Sequence, residues 1–252
     1  MKIIFTVLFL VNVSTIFPQV NIESLRKELG HQGFSGSLDL GISIRTGSVN
    51  VQEISAKTHI NFSQPKFYLL LIGEGNLGWQ GGKRFSNSGL AHLRFVHRLR
   101  TDVQPEIFVQ TNYNSQRKLL ERYLAGVGIR INAINTESQL FSIGLSGMYE
   151  FEKLKELNFY EENITYSNWR WSSYINYGLN ISEGVKLSNI SYYQPMFDDF
   201  SDFRLLNNTQ FSFKFIEPLR FNFTFSLLYD DDPPSGVPVL DTRTRFGFGL
   251  SF

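Results

Sequence analysis

Arg243 and Arg245 stand two residues apart close to the C-terminus, in a segment where apolar and polar residues alternate strictly. An extended chain sends successive side chains to opposite faces. Both guanidinium groups therefore share one face with Gly247, Gly249 and Ser251, while Thr242, Thr244, Phe246, Phe248, Leu250 and Phe252 share the other. The same parity argument, applied along the chain, collects Arg94, Arg98, Arg130, Arg170 and Arg204 on the polar face, with Arg45, Lys186 and Lys214. Asp39, Glu53, Glu74, Glu106, Glu150 and Glu152 fall there too. A ring of fixed cations favours anionic solutes, as charged rings do in pores. The alternative is a plug in which these arginines pair with the carboxylates, and the sequence leaves both open.

Other chemistry is sparse. The four histidines are His31, His59, His92 and His97. None sits in the His-x-Ser arrangement that an outer-membrane lipid hydrolase would need for an activated serine. His92 and His97 differ in parity and should face opposite sides of one strand. Asp230-Asp231-Asp232, and Asp198-Asp199 with Asp202, are oxygen-rich but lack the D-x-D-x-D-G spacing of a calcium loop, so they read as solvated loops. Gly73, Gly75 and Gly78 have no strand-turn-helix context for a phosphate loop and are expected to relieve crowding on the polar face. With no cysteine there is neither a disulfide framework nor a thiolate metal site. No catalytic, cofactor or metal site is expected, and the chain reads as non-enzymatic.

The elements that must carry these residues are strands. Period-two segments run over about 34–46, 50–62, 66–79, 84–99, 103–114, 121–133, 138–152, 164–179, 185–195, 202–215, 219–230 and 240–252. Those at 50–62, 84–99 and 185–195 alternate least cleanly. No helical period of useful length separates them, which excludes a βαβ architecture. Short connections follow the even strands, as at Ser63-Gln64-Pro65, Thr101-Asp102 and Ser182-Glu183-Gly184. Longer or more polar ones follow most odd strands: Gln80–Lys83, Ser115–Leu120, Lys153–Asn163, Met196–Ser201 and Asp231–Val239. Tight turns on one side and larger loops on the other are the habit of outer-membrane barrels.

Composition agrees once the faces are separated. In 252 residues there are 24 Phe, 11 Tyr and 3 Trp, yet the hydrophobic fraction is an ordinary 42%. Mean hydropathy is −0.14, which excludes a bundle of membrane helices. Lys and Arg total 24 against 23 Asp and Glu, so no nucleic-acid partner is indicated. A soluble sandwich would have to bury four to six apolar residues from every strand between two packed faces, more than they can hold. A closed barrel in lipid needs that apolar face outside, and pairs every backbone group internally. Phe62 and Phe67 near the tight turns, and Trp79, Tyr113, Trp169 and Trp171 toward the loops, suit the two membrane interfaces. At the start, Met1-Lys2 and the apolar run Ile3–Val13 are too short to span a bilayer but fit a secretory signal peptide, cleaved within Ser14–Val20. Residues 21–33 then form a short periplasmic segment and 34–252 the barrel.

Two stretches resemble a known family: Glu106–Ile131 (EIFVQTNYNSQRKLLERYLAGVGIRI) and Phe221–Phe252, with its Tyr-Asp-x-x-Pro-Pro loop, Asp-Thr and final alternating strand. They are similar to the YdiY-like family of salt-induced outer-membrane proteins, a domain of unknown function. The resemblance implies an outer-membrane β-barrel and carries no substrate or catalytic residues to transfer. The reading is thus an all-β, transmembrane antiparallel β-barrel of about twelve strands in the bacterial outer membrane. Its expected partners are outer-membrane lipids, small solutes and the barrel assembly machinery, which would read Phe248, Leu250 and Phe252 as a C-terminal signal. The expected function is a narrow pore for small, anionic solutes or an envelope-integrity component; a lipid-modifying enzyme and a surface-binding or adhesion barrel are the alternatives.

Overall fold

The computed structural model describes residues 32–46, 50–100, 102–155, 163–216 and 219–251. The signal peptide, nearly all of the 21–33 segment, most of the Lys153–Asn163 loop and Phe252 lie outside the described residues. Twelve strands close into one antiparallel barrel: β1 (Gly33–Arg45), β2 (Val51–Ser63), β3 (Phe67–Gln80), β4 (Lys83–His97), β5 (Val103–Asn114) and β6 (Leu119–Asn135), then β7 (Gln139–Lys155), β8 (Asn163–Ser182), β9 (Val185–Pro195), β10 (Phe203–Ile216), β11 (Leu219–Asp230) and β12 (Leu240–Ser251). Each strand pairs with its sequence neighbours, and β1 meets β12 to close the ring. Among the described residues the closing seam is registered at Ser37↔Ser251 and Leu38↔Leu250. By contrast, β11 and β12 pair from Leu219↔Leu250 to Tyr229↔Leu240. Even the shortest strand, β9 with 11 residues, reaches the roughly 9–11 that a tilted membrane strand needs.

Alternation decides which way each side chain points. On β7 the even residues Ser142, Ser146, Met148, Glu150 and Glu152 are buried, while Ile143, Leu145 and Tyr149 are exposed. Leu40, Ile42, Ile107, Val127 and Ile129 extend the apolar outside, a surface that hydrocarbon solvates and water does not. Two aromatic belts flank it. At the tight-turn end Phe34, Phe62, Phe67 and Phe95 form a chain of ring contacts at 4.7, 6.3 and 5.6 Å. At the loop end Tyr149 meets Trp169 at 5.3 Å and Trp171 stacks on Phe197 at 4.5 Å.

Three details differ from the sequence reading. Gly73 and Gly75 share the outward parity of Leu71, because the inner face of β3 is filled by Tyr68, Leu70, Ile72 and Asn76. Gly78 does keep the inward parity, and a Cβ there would lie 2.8 Å from the Phe85 ring; crowding inside is also relieved elsewhere, since a Cβ on Gly126 would lie 2.4 Å from the Phe108 ring and one on Gly144 2.0 Å from that of Tyr174. Gln80–Lys83 is not a long loop, since Gly81 and Gly82, both at positive φ, close β3 onto β4 in a two-residue turn. Finally, β8 runs on to Ser182, and Ser115–Arg117 form a 3-10 turn capped by the Asn114 side chain.

Candidate functional site

The interior of the barrel is the only place where the charged residues can converge, and it has three zones. Toward the loop end, β7 supplies Glu150 and Glu152, two residues apart and therefore on one face. The guanidinium of Arg204, from β10, binds both: Nη1 lies 2.7 Å from Glu150 Oε2 and Nη2 lies 2.9 Å from Glu152 Oε2. Its Nε reaches Asp230 Oδ1 at 3.2 Å. Arg170 Nε takes the other oxygen of Glu150 at 3.2 Å, and its two terminal nitrogens fork onto Asp202 at 2.9 and 3.1 Å. Arg122 adds an ion pair to Glu152, and Arg117 bridges Asp230 at 3.2 Å and Asp241. Arg117 sits in the turn between β5 and β6, six strands round the barrel from the β11–β12 connection it grips, so it spans the mouth. Above the network lies a cavity of about 370 Å³, roofed by Pro233, Pro234 and Ser235 of the last loop. Lys118 holds that roof by donating to the Ser235 carbonyl.

Halfway down, Arg94 on β4 faces Glu106 on β5, with Nη1 at 3.2 Å from both carboxylate oxygens. Tyr174 donates to Glu106 at 3.1 Å, and the Arg94 guanidinium lies 5.0 Å from the Phe108 ring centroid. His92 pairs with Gln110 at 3.0 Å and is buried. Arg130 donates to Asn132 and Ser142, both at 2.7 Å. Arg98 caps the tight-turn end through Ser63 Oγ at 2.9 Å and the Gln64 carbonyl, over the Tyr68 ring. Bonds to ionised groups are about twice as strong as neutral ones, so these belts tie β4–β10 to one another across the interior.

The third zone is the wall formed by β12, β1, β2 and β3, and it is different. Lys57 pairs with Glu74 at 2.8 Å. Asp39 is half-buried, Arg243 is half-buried with an unbonded Nη1, and Arg245 is exposed although it faces inward. Among the described residues neither Arg243 nor Arg245 makes an ion pair. Of the sequence-derived set, Arg94, Arg130, Arg170, Arg204, Arg243, Arg245, Asp39, Glu74, Glu106 and Glu150 have the inward parity of their strands, and Arg98, just past the end of β4, keeps that strand's inward parity. They do not form one ring; they divide into hydrogen-bonded belts and a pair, Arg243 and Arg245, that no ion pair holds. Of the C-terminal residues, Phe248 is exposed on the outside and the Leu250 side chain lies outside the described residues. Sequence reasoning passed over Arg122 and Tyr174, whose parities match Arg130 and Arg170 on the same strands, and Arg117, which lies in a turn where parity gives no signal. No three His, Asp or Glu side chains converge as a metal site among the described residues.

The family model described as "Protein of unknown function, DUF481" matches residues 38–252, and the chain belongs to that family, consistent with the YdiY-like resemblance. No curated protein matches the sequence. Among solved structures, the NanC porin is similar with a TM-score of 0.52 at 14% identity, covering 87% of this chain and 98% of its own. The KdgM porin gives 0.42 at 11%, covering 87% and 99%, and the translocator domain of the autotransporter NalP from Neisseria meningitidis gives 0.44 at 11%, covering 92% and 93%. The architecture is an outer-membrane-type, porin-like barrel.

Proposed function

We propose that the protein is a narrow, non-enzymatic channel of the bacterial outer membrane, with tight turns toward the periplasm, that passes small solutes and favours anions. The observation that carries this reading is the Arg243–Arg245 pair. A structural plug would pair its arginines, as Arg94, Arg117, Arg122, Arg170 and Arg204 are paired. Arg243 and Arg245 make no such ion pair, with Glu53, Glu74 and Asp39 acting on them only at longer range, and they stand at the least occluded wall, where two fixed positive charges face the lumen in a low-dielectric surround. Ionisable groups at membrane depth are costly and mark solute or ion paths by default. The polar cavity at the loop end offers such a solute an antechamber. Outer-membrane lipids and the assembly machinery are its partners in this reading.

Planar-bilayer recording under a salt gradient tests it. Small discrete openings with an anion-selective reversal potential are expected, and the double variant Arg243→Ala/Arg245→Ala should shift that potential toward cations. A silent membrane holding verified, inserted protein sinks the channel. The Arg117 clasp across the mouth favours a second reading, a closed envelope-integrity barrel. That reading expects silence without phospholipid turnover; silence with turnover would point to a lipid-modifying enzyme.

A further inference from the structure

On β9 and β10 four polar side chains face lipid. Ser188, Ile190 and Tyr192 are buried inward on β9, as are Arg204 and Leu206 on β10. Asn189, Ser191, Asn207 and Thr209 therefore share the outward face with Leu187, Tyr193, Leu205 and Phe211. They lie in the middle of their strands, at the depth of the hydrocarbon, and register as Asn189↔Thr209 and Ser191↔Asn207. The four close a ring of hydrogen bonds. Asn189 Nδ2 donates to Thr209 Oγ1 (2.7 Å), which donates to Asn207 Oδ1 (3.1 Å). Asn207 Nδ2 donates to Ser191 Oγ (2.8 Å), which donates to Asn189 Oδ1 (3.3 Å).

The ring uses one N–H of each amide. Among the described residues nothing takes the second, so two donors point into a medium with no acceptor, where an unbonded polar group is costly. The four short side chains are flanked by the longer Ile175 and Tyr177 of β8 and Phe225 and Leu227 of β11. Small residues with polar glue are how protein surfaces meet inside a bilayer.

We infer that this patch is the contact between two copies of the chain. Copies inserted in the same direction can pair symmetrically only about a two-fold axis along the membrane normal, and such an interface must be complementary to itself. An axis between β9 and β10 exchanges the two strands. It sets Asn189 against Thr209 of the second copy and Asn207 against its Ser191, an amide facing a hydroxyl at both levels. Registered neighbours on strands about 4.8 Å apart and tilted by 35–45° differ in depth by only about 3 Å, within the reach of an amide. The free N–H of each asparagine then meets a hydroxyl oxygen across the axis.

The chain contains no cysteine, so single thiols report cleanly. Leu205→Cys flanks the ring without breaking it, and Leu93→Cys is the control on the opposite wall, both outward-facing. With full-length protein in lipid vesicles, a copper–phenanthroline oxidant should give at least tenfold more covalent dimer from Leu205→Cys than from Leu93→Cys. Adding Asn189→Leu and Asn207→Leu should reduce the Leu205→Cys dimer about tenfold while heat-modifiable gel migration, the mark of a folded barrel, is retained. Equal yields at the two walls, no dimer, or cross-linking in native membranes to a different protein would each overturn the inference. The comparison of the two walls stands even if the leucine variant fails to fold.

Discussion

Replacing Arg204 by methionine keeps the apolar stem and deletes the charge that joins β7, β10 and β11. Removing one member of a buried ion pair commonly costs about 3–5 kcal/mol, because a carboxylate is left without its counter-charge. Here no carboxylate is abandoned completely. Glu150 keeps Arg170 at 3.2 Å and Arg122 at 3.8 Å, Glu152 keeps Arg122, and Asp230 keeps Arg117 at 3.2 Å. The loss should therefore fall at the lower end, about 3 kcal/mol. Glu150→Gln should cost a similar amount, since Arg204 retains Glu152 and Asp230 and Arg170 retains Asp202. Because the two residues share a contact, the double variant should lose less than the sum, by about 1–3 kcal/mol of coupling. Urea unfolding from lipid vesicles, followed through Trp79, Trp169 and Trp171 and by the heat-shifted band, measures all four corners of the cycle. Additivity within about 0.5 kcal/mol would refute the reasoning, as would a single-variant loss below about 1 kcal/mol.

Three further outcomes follow from individual residues. Gly144→Ala should destabilise by about 1–3 kcal/mol, because its Cβ would collide with the Tyr174 ring, whereas Gly75→Ala meets nothing within 4 Å and should leave the heat-modifiable transition unchanged. Arg117→Ala should open the mouth and raise single-channel conductance, because it removes the bridge to Asp230 and Asp241; unchanged conductance would show that the clasp does not gate. In the loop before β10, hydrogen bonds from the Ser201 hydroxyl and backbone N–H to Asp199 hold that carboxyl below the usual carboxylate range. A depressed acid supports the folded loop above its unfolded value, about pH 3.9, and loses that support as pH falls through the lowered one. Ser201→Ala should move the Asp199 titration back up toward the ordinary value, read by NMR.

Most of the fold was legible because lipid and lumen impose opposite demands on alternate residues, and period two writes that demand into every strand. The segments that alternated least cleanly show where the rule weakens. β9 carries Asn189 and Ser191 on its lipid side, and β2 carries Gln52, Ala56 and Thr58 among its outward residues. On β3 the lumen accepts Tyr68, Leu70 and Ile72, since a barrel wall still has to be packed, and that is why Gly73 and Gly75 were assigned to the wrong side. The candidate site was legible only as a facing. Parity says that Arg204 and Glu150 both point inward, but whether they meet depends on the stagger of three intervening strand pairs, which no local pattern encodes. Arg117 and Asp241, 124 residues apart, are the extreme case.

What the assembled barrel adds is a distinction among arginines of identical sequence character. A guanidinium locked by two or three carboxylates has its charge cancelled locally and contributes geometry: Arg204 fixes three strands and Arg170 fastens Asp202 to the wall. Such a group offers a passing anion little, since binding it would mean displacing a carboxylate already held. Arg243 and Arg245 lie two residues apart beside a seam that, among the described residues, is registered at its tight-turn end; the charges of Glu53 and Glu74 act on Arg243 and that of Asp39 on Arg245, but no ion pair locks either guanidinium. The two like charges repel one another, and in the proposed channel an anion between them would relieve that repulsion. Stability alone would favour pairing or removing them. In the proposed channel, their position on the least occluded wall therefore argues for a role in what the lumen admits, while the belts opposite hold β4–β10 together.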